Sequence, residues 1–158
     1  MKVKNKLWGC IIAILIAVRV FLCCYVTDGE SMMPTIHDGD LLVGTRVFKE
    51  LNRGDIITAK QLSASGEIIP VVKRVIALEG DTVDISNNVV IVNGVALSED
   101  YILEPMDTPD ITLVVEEGHV FILGDNRNNS FDSRRAGTIK VSDVKSVVFF
   151  NLSNWRSM

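Results

Sequence analysis

Beyond residue 24 this 158-residue chain contains no cysteine. Whatever folds after that point must be stable without disulfides. Histidine is nearly as scarce, since His37 and His119 are the only two. A histidine- or cysteine-based metal cluster is therefore not expected in the folded part. Neither histidine sits in a recognisable serine-protease setting: His37 lies in the turn "IHDGD" and His119 opens an apolar run. Acidic residues are missing from positions 1–27, which carry Lys2, Lys4, Lys6 and Arg19. The rest of the chain holds 12 of the 16 basic residues and all 20 acidic ones, a formal balance of −8. Such a surface argues against nucleic acid as a partner, because a phosphate backbone selects for basic surfaces. Also missing are internal repeats, low-complexity stretches and any sustained 3.6-residue apolar period beyond residue 27.

The first long feature present is an apolar run from Leu7 to Val26, with Arg19 as its only charge. Twenty residues at 1.5 Å each make a helix of about 30 Å, the thickness of a bilayer core. Three preceding lysines predict a cytoplasmic N-terminus, which puts the bulk of the chain outside. Trp8 and Tyr25 lie near the two ends, where aromatic residues favour the interface. Arg19 lies toward the outer end and can snorkel. A cleaved signal peptide is the competing reading, with Leu7–Val18 as its apolar core. No small-x-small cleavage pattern follows, so an uncleaved anchor is favoured. The expected organisation is residues 1–6 cytoplasmic, 7–26 a transmembrane anchor and 27–158 an extracytoplasmic domain. All three cysteines (Cys10, Cys23, Cys24) fall inside the anchor on this division.

After Thr27 come short β-branched and aromatic runs separated by Gly, Asn, Asp and Pro. "DLLVGTRVF", "DIITAK", "IIPVVKRVIAL", "TVDI", "VVIV", "ITLVV", "HVFIL" and "VKSVVFF" read as strands. In "DISNNVVIV" the pair Asn87-Asn88 predicts a tight hairpin turn. The fold class this predicts is all-β, with antiparallel coiled sheets forming a small barrel-like domain behind one N-terminal transmembrane helix.

Three stretches carry polar residues that such a domain does not need for folding. In "PVVKRVIAL" successive side chains alternate faces, so either Lys73 or Arg74 points the way of its apolar neighbours. An edge strand with snorkelling cations is the plain explanation. A lysine held in apolar surroundings is the other, and desolvation would lower its pKa toward that of a general base. In "DGESMMPT" Ser31 needs a base to become a nucleophile. A Ser-Lys arrangement suits it better than either histidine, and Pro34 stiffens the segment. In "GDNRNNSFDSRR" the residues Asp125, Arg127, Asp132 and Arg134 can form charge-assisted pairs that rigidify a loop.

In this order the stretches resemble the bacterial type I signal peptidases, membrane-bound serine proteases with a Ser-Lys dyad, in their short Gram-positive-like form. "GESMMPT" is similar to the family's serine box, "DGDLLVGTR" to the box after it, "VVKRVIALEGD" to the lysine box and "GDNRNNSFDSR" to the last box. "VNGVALSEDYI" resembles the family's hairpin and following segment, and Arg19 a common arginine near the end of the anchor. The resemblance implies that Ser31 is the nucleophile and Lys73 the general base. It implies that Ser130 hydrogen-bonds the lysine amine, with Asp132 and Arg134 bracing the site. No cofactor and no metal are implied. The implied partners are the lipid bilayer and secretory preproteins with alanine-sized residues at the positions one and three before the cut. Met32, Ile36, Val71 and Val72 flank the dyad and are the expected pocket walls. Two departures stand out: Ala77 and Glu79 replace residues that are more often glycine and proline, and Gly29 stands where some relatives have an oxyanion-donating serine. Rival readings are a Ser-Lys peptidase dedicated to pilin-like or other specific substrates, and a related protein that binds secretory segments without cutting them.

Overall fold

The computed structural model describes Trp8 and residues 21–158. Twelve strands form in chain order: β1 (Leu22–Val26), β2 (Leu41–Thr45), β3 (Ile56–Leu62), β4 (Ile68–Leu78), β5 (Thr82–Ser86), β6 (Val89–Val92), β7 (Val95–Ala96), β8 (Ile111–Val114), β9 (His119–Leu123), β10 (Ile139–Lys140), β11 (Val144–Asn151) and β12 (Arg156–Ser157). Each of the eight apolar runs contains one of them. Asn87 and Asn88 both take positive φ, as the β5–β6 turn requires, and Asn93-Gly94 repeat this between β6 and β7. A single α-helical turn, α1 (Ser133–Ala136), lies between β9 and β10, and Asp132 caps it by accepting from the Arg134 N–H.

The strands build two antiparallel sheets. One runs β1-β2-β11-β3-β4-β9-β10, with β12 added to β11; the other runs β7-β6-β5-β8. In the described residues the edges β1 and β10 do not pair, so the large sheet does not close into a barrel. β4 and β9 give Ile76, Ala77, Phe121 and Leu123 to the core against Val83, Ile85, Val90 and Val92 of the small sheet. On the opposite face Ile57, Val75, Val120, Ile122 and Val144 form a second core. A third cluster, of Met32, Ile36, Leu42, Ile56 and Val148, lies under the segment that carries Ser31.

One boundary differs from the expectation. Leu22–Val26 is not the end of a membrane helix but an edge strand, paired from Leu22↔Thr45 to Val26↔Leu41. Cys23 is buried in it and donates its thiol to the Gly44 carbonyl, while Cys24 is exposed. Two cysteines therefore belong to the folded domain. The reason is that β2 offers an open edge, and its hydrogen bonds outweigh the continuity of the apolar run. Residues 7 and 9–20 of the expected anchor, including Cys10 and Arg19, lie outside the described residues. Among the described residues no helix is long and apolar enough to cross a membrane.

Candidate active site

β4 carries Lys73 into the protein. In the register Lys73 faces Ile57 of β3, and Val75 follows two residues on along the same face. Both neighbours are fully buried, and Lys73 itself is only 4% exposed. This burial pushes its pKa down from 10.5 to about 8; Asp132 and Asp125 pull it back up, and Arg134 lowers it further. Arg74 projects from the opposite face and is half-buried, so the strand feeds its two cations into different networks. Lys73 Nζ lies 2.6 Å from Ser31 Oγ and donates a second hydrogen bond to the Val72 carbonyl, 3.0 Å away. A protonated amine donates to the serine hydroxyl; a neutral one accepts its proton.

Ser31 sits in a turn closed by Met33 N–H to Glu30 O (3.1 Å) and Ile36 N–H to Met32 O (2.9 Å). The "GDN" loop clamps it from behind: the Asn126 N–H donates to the Ser31 carbonyl at 3.1 Å and the Asn126 amide to Glu30 O at 3.2 Å. No acceptor among the described residues takes the Ser31 N–H. The Gly29 N–H, by contrast, is engaged by the Asp38 carboxylate at 2.8 Å.

The charged loop is rigid, but its pairs are not all local. Arg134 grips Asp132 with two bonds of 2.8 Å, and Asp132 also accepts the Gly124 N–H. Arg74 grips Asp125 (2.9 and 2.6 Å), which also accepts from Thr35 of the serine segment. Arg127 is fully buried and pairs with Glu99 (2.8 and 2.6 Å), whose other donor is the Tyr101 hydroxyl. The Tyr101 ring lies under the Arg74 guanidinium at 4.1 Å, a cation–π contact. Glu99 and Tyr101 escaped the sequence reading, because they join Arg127 and Arg74 across 26–28 positions with no local pattern.

Ser130 departs from its expected role. Its hydroxyl is buried and has no hydrogen-bond partner among the described residues, and Lys73 bonds Val72 O instead. The cause is packing. Ser130 Oγ fills the space beside Gly124, where a Cβ would stand, next to the Ser31 carbonyl. All four expected pocket residues lie beside Ser31 and Lys73. Met32, Ile36, Val71 and Val72 line a groove of about 560 Å3 that also contains Ser31 and Lys73. Met32 and Ile36 are buried members of the third core cluster, and Val71 and Val72 are half-buried. Tyr25, Thr27, Thr58, Ile69 and Phe131 also line the groove and were missed. Thr58 was within reach of sequence reasoning, since pairing β3 with β4 places it opposite Val72. Along the same groove β4 has an open edge. β9 joins it only from Arg74 onward, so Ile68–Lys73 pair with β3 on one side and with no described strand on the other.

The arrangement has a base, a hydroxyl within its reach and an unused N–H beside them, which is the constellation acyl transfer needs. A family model described as "Signal peptidase, peptidase S26" matches residues 3–153. The chain is similar to signal peptidase I of Bacillus licheniformis, 35% identical over 97% of this chain and 94% of that one. It is similar to the probable signal peptidase I-1 of a Synechocystis strain, 39% identical over 80% and 70% of the two chains. A crystal structure of a signal peptidase I from Enterococcus faecalis V583 matches with a TM-score of 0.55 and 37% identity, over 64% of this chain and 98% of that chain.

Proposed function

The chain belongs to the signal peptidase family, peptidase S26, and is a signal-peptide-cleaving enzyme; from that premise we propose that it is a membrane-anchored serine endopeptidase whose catalytic dyad is Ser31 and Lys73. The observation that carries this reading is the 2.6 Å approach of Lys73 Nζ, on a side chain that is only 4% exposed, to Ser31 Oγ. A preprotein lays the segment before its cut along the open edge of Ile68–Lys73 and pairs as an added strand. Small side chains one and three residues before the cut enter the hollow walled by Met32, Ile36, Val71 and Val72. Neutral Lys73 takes the Ser31 proton as Oγ attacks the scissile carbonyl carbon. The oxyanion is met by the Ser31 N–H. No side-chain donor comes from position 29, where the residue is glycine. The lysine ammonium then protonates the leaving amine, freeing the mature chain and leaving an acyl-enzyme. Water, deprotonated by the same lysine, hydrolyses the ester and restores the serine.

The supporting residues act through the loop. Asp132 and Arg134 fix Gly124 and the α1 turn, and the Asp132 carboxylate offsets part of the desolvation of Lys73. Ser130 fills the space beside Gly124 and the Ser31 carbonyl.

Two measurements test the reading. Acylation requires the neutral amine, so kcat/KM on a preprotein should rise about tenfold per pH unit below about 8 and level off above it. A maximum well below neutral would exclude lysine as the base. The anchor is tested separately. Its basis is the apolar run that starts at Leu7 and the three lysines before it; on this reading the N-terminus is cytoplasmic and the catalytic domain lies outside the cell membrane. The full chain should stay with membranes after extraction at alkaline pH, and its release into the soluble fraction would remove the anchor from the proposal.

A further inference from the structure

Two cavities flank the loop at Ser130 and Phe131. The catalytic groove reaches Phe131 on one side of the loop. On the other side lies a cavity of about 550 Å3, walled by Asp107, Thr108 and Ile111 and by Ser130, Arg134 and Arg135. The mechanism above makes no use of it. It nevertheless begins close to the chemistry. Ser130 Oγ and the Ser31 carbonyl oxygen both crowd the position that a Cβ on Gly124 would occupy, so they lie within a few ångströms of each other. An extended peptide advances about 3.3 Å per residue. A substrate with its scissile carbonyl at Ser31 Oγ that continues past Ser130 therefore enters this cavity about two or three residues after the cut.

The lining shows what such a segment would meet. Arg127 also borders the cavity, but its charge is taken by Glu99, and Arg134 is held by Asp132. Arg135 is different: its guanidinium makes no ion pair or hydrogen bond among the described residues. The Thr108 hydroxyl is likewise unpartnered there. The Asp107 N–H is bound by the Asn128 side chain, which fixes the opposite wall, and its carboxylate has no cation partner. An open cation, an open hydroxyl and an open carboxylate suit a polar peptide segment and suit an apolar ligand poorly.

We propose that this cavity is the subsite for the first residues of the mature chain, on the far side of the cut from the signal peptide, and that Arg135 makes it favour an acidic side chain there. The proposal rests on the signal-peptidase mechanism with Ser31 as nucleophile. Asp107 stands on the other wall, so the preference is confined to positions beside Arg135.

The test uses full-chain enzyme and synthetic peptides that span a cleavage site, with Asp or Lys placed in turn at the second, third and fourth positions after the cut. At one of these positions the wild-type protein should cut the Asp peptide about threefold better in kcat/KM. Arg135→Glu should reverse this, a swing of about tenfold, because attraction becomes repulsion at the same place. A peptide that ends one residue after the cut should be processed equally by both proteins. An Asp-to-Lys ratio that is the same in both proteins at every position overturns the subsite. So does an equal loss on the truncated peptide, which would mean a general effect on the fold. Failure of the wild-type protein to cut any of the peptides would instead overturn the mechanism of the preceding section, and the subsite with it.

Discussion

Lys73→Met should abolish preprotein processing and yet raise stability at neutral pH. The activity loss follows from removing the only base hydrogen-bonded to Ser31 among the described residues: general-base assistance to a serine is worth roughly 10²–10⁴-fold. Ser31→Ala should match it, because each residue is idle without the other. The stability gain follows from linkage. Lys73 has a pKa of about 8 in the folded chain and 10.5 when free of its surroundings. Below pH 8 the amine is protonated in both states, and the folded state bears the full cost of burying an ammonium. Between 8 and 10.5 the folded protein has released the proton while the unfolded chain still holds it, so wild-type stability climbs with pH. Above 10.5 the cost is gone. The gap corresponds to about 3 kcal/mol. Methionine fills a similar volume without charge. It forgoes the bonds to Ser31 and Val72, each worth about 0.5–1.5 kcal/mol. Thermal unfolding at pH 7 should therefore show the variant at or above the wild-type Tm, and the difference should shrink or reverse as pH approaches 10. An inactive variant that is also less stable at pH 7 would mean that Lys73 is ordinary structure. A variant that still cuts would end the dyad assignment.

The same strand shows what could be read in advance. "IIPVVKRVIAL" is bounded by turn formers and is β4 from end to end, because β-branched residues between such signals leave little choice. Alternation along it narrowed the buried cation to Lys73 or Arg74. That Lys73 is the buried one and Arg74 is held in an ion pair could not be read locally, since the partner of Arg74 is Asp125, 51 positions away. Leu22–Val26 was misassigned for a different reason. Leu, Cys, Tyr and Val compose an edge strand as readily as the last turn of a membrane helix, and only the open edge of β2 decides between them. Charge pairing in the last box was legible as chemistry but not as geometry. Arg134 and Asp132 do pair, whereas Arg127 reaches back 28 positions to Glu99. The direction of Ser130 was not legible at all. In an irregular loop no period fixes where a side chain points, and here packing against Gly124 sets it.

That packing makes Gly124 the position where one methyl group should do the most damage. A Cβ there would overlap the Ser31 carbonyl oxygen and Ser130 Oγ, and would stand 2.7 Å from Ser130 Cβ. The serine side chain can turn away; the carbonyl is backbone, and the Asn126 N–H behind it holds it in place. Gly124 is also tied to Asp132 through its own N–H and to Arg127 through its carbonyl, so the loop does not yield easily. Relief therefore requires the Ser31 turn to move. Overpacking of this kind costs about 1–3 kcal/mol. A displacement of about 1 Å at the nucleophile costs on the order of 10²-fold in rate. Gly124→Ala should thus lower kcat about a hundredfold with a smaller change in KM, and lower Tm modestly. The double variant Gly124→Ala with Ser130→Gly separates the two contacts. Removing the serine side chain relieves its part of the clash and should return much of the lost Tm. The overlap with the Ser31 carbonyl remains, so kcat should stay low. Recovery of both together would place the damage in Ser130 and not in the nucleophile turn. Wild-type kcat in the single variant would show that the approach of Gly124 to Ser31 does not position the attack.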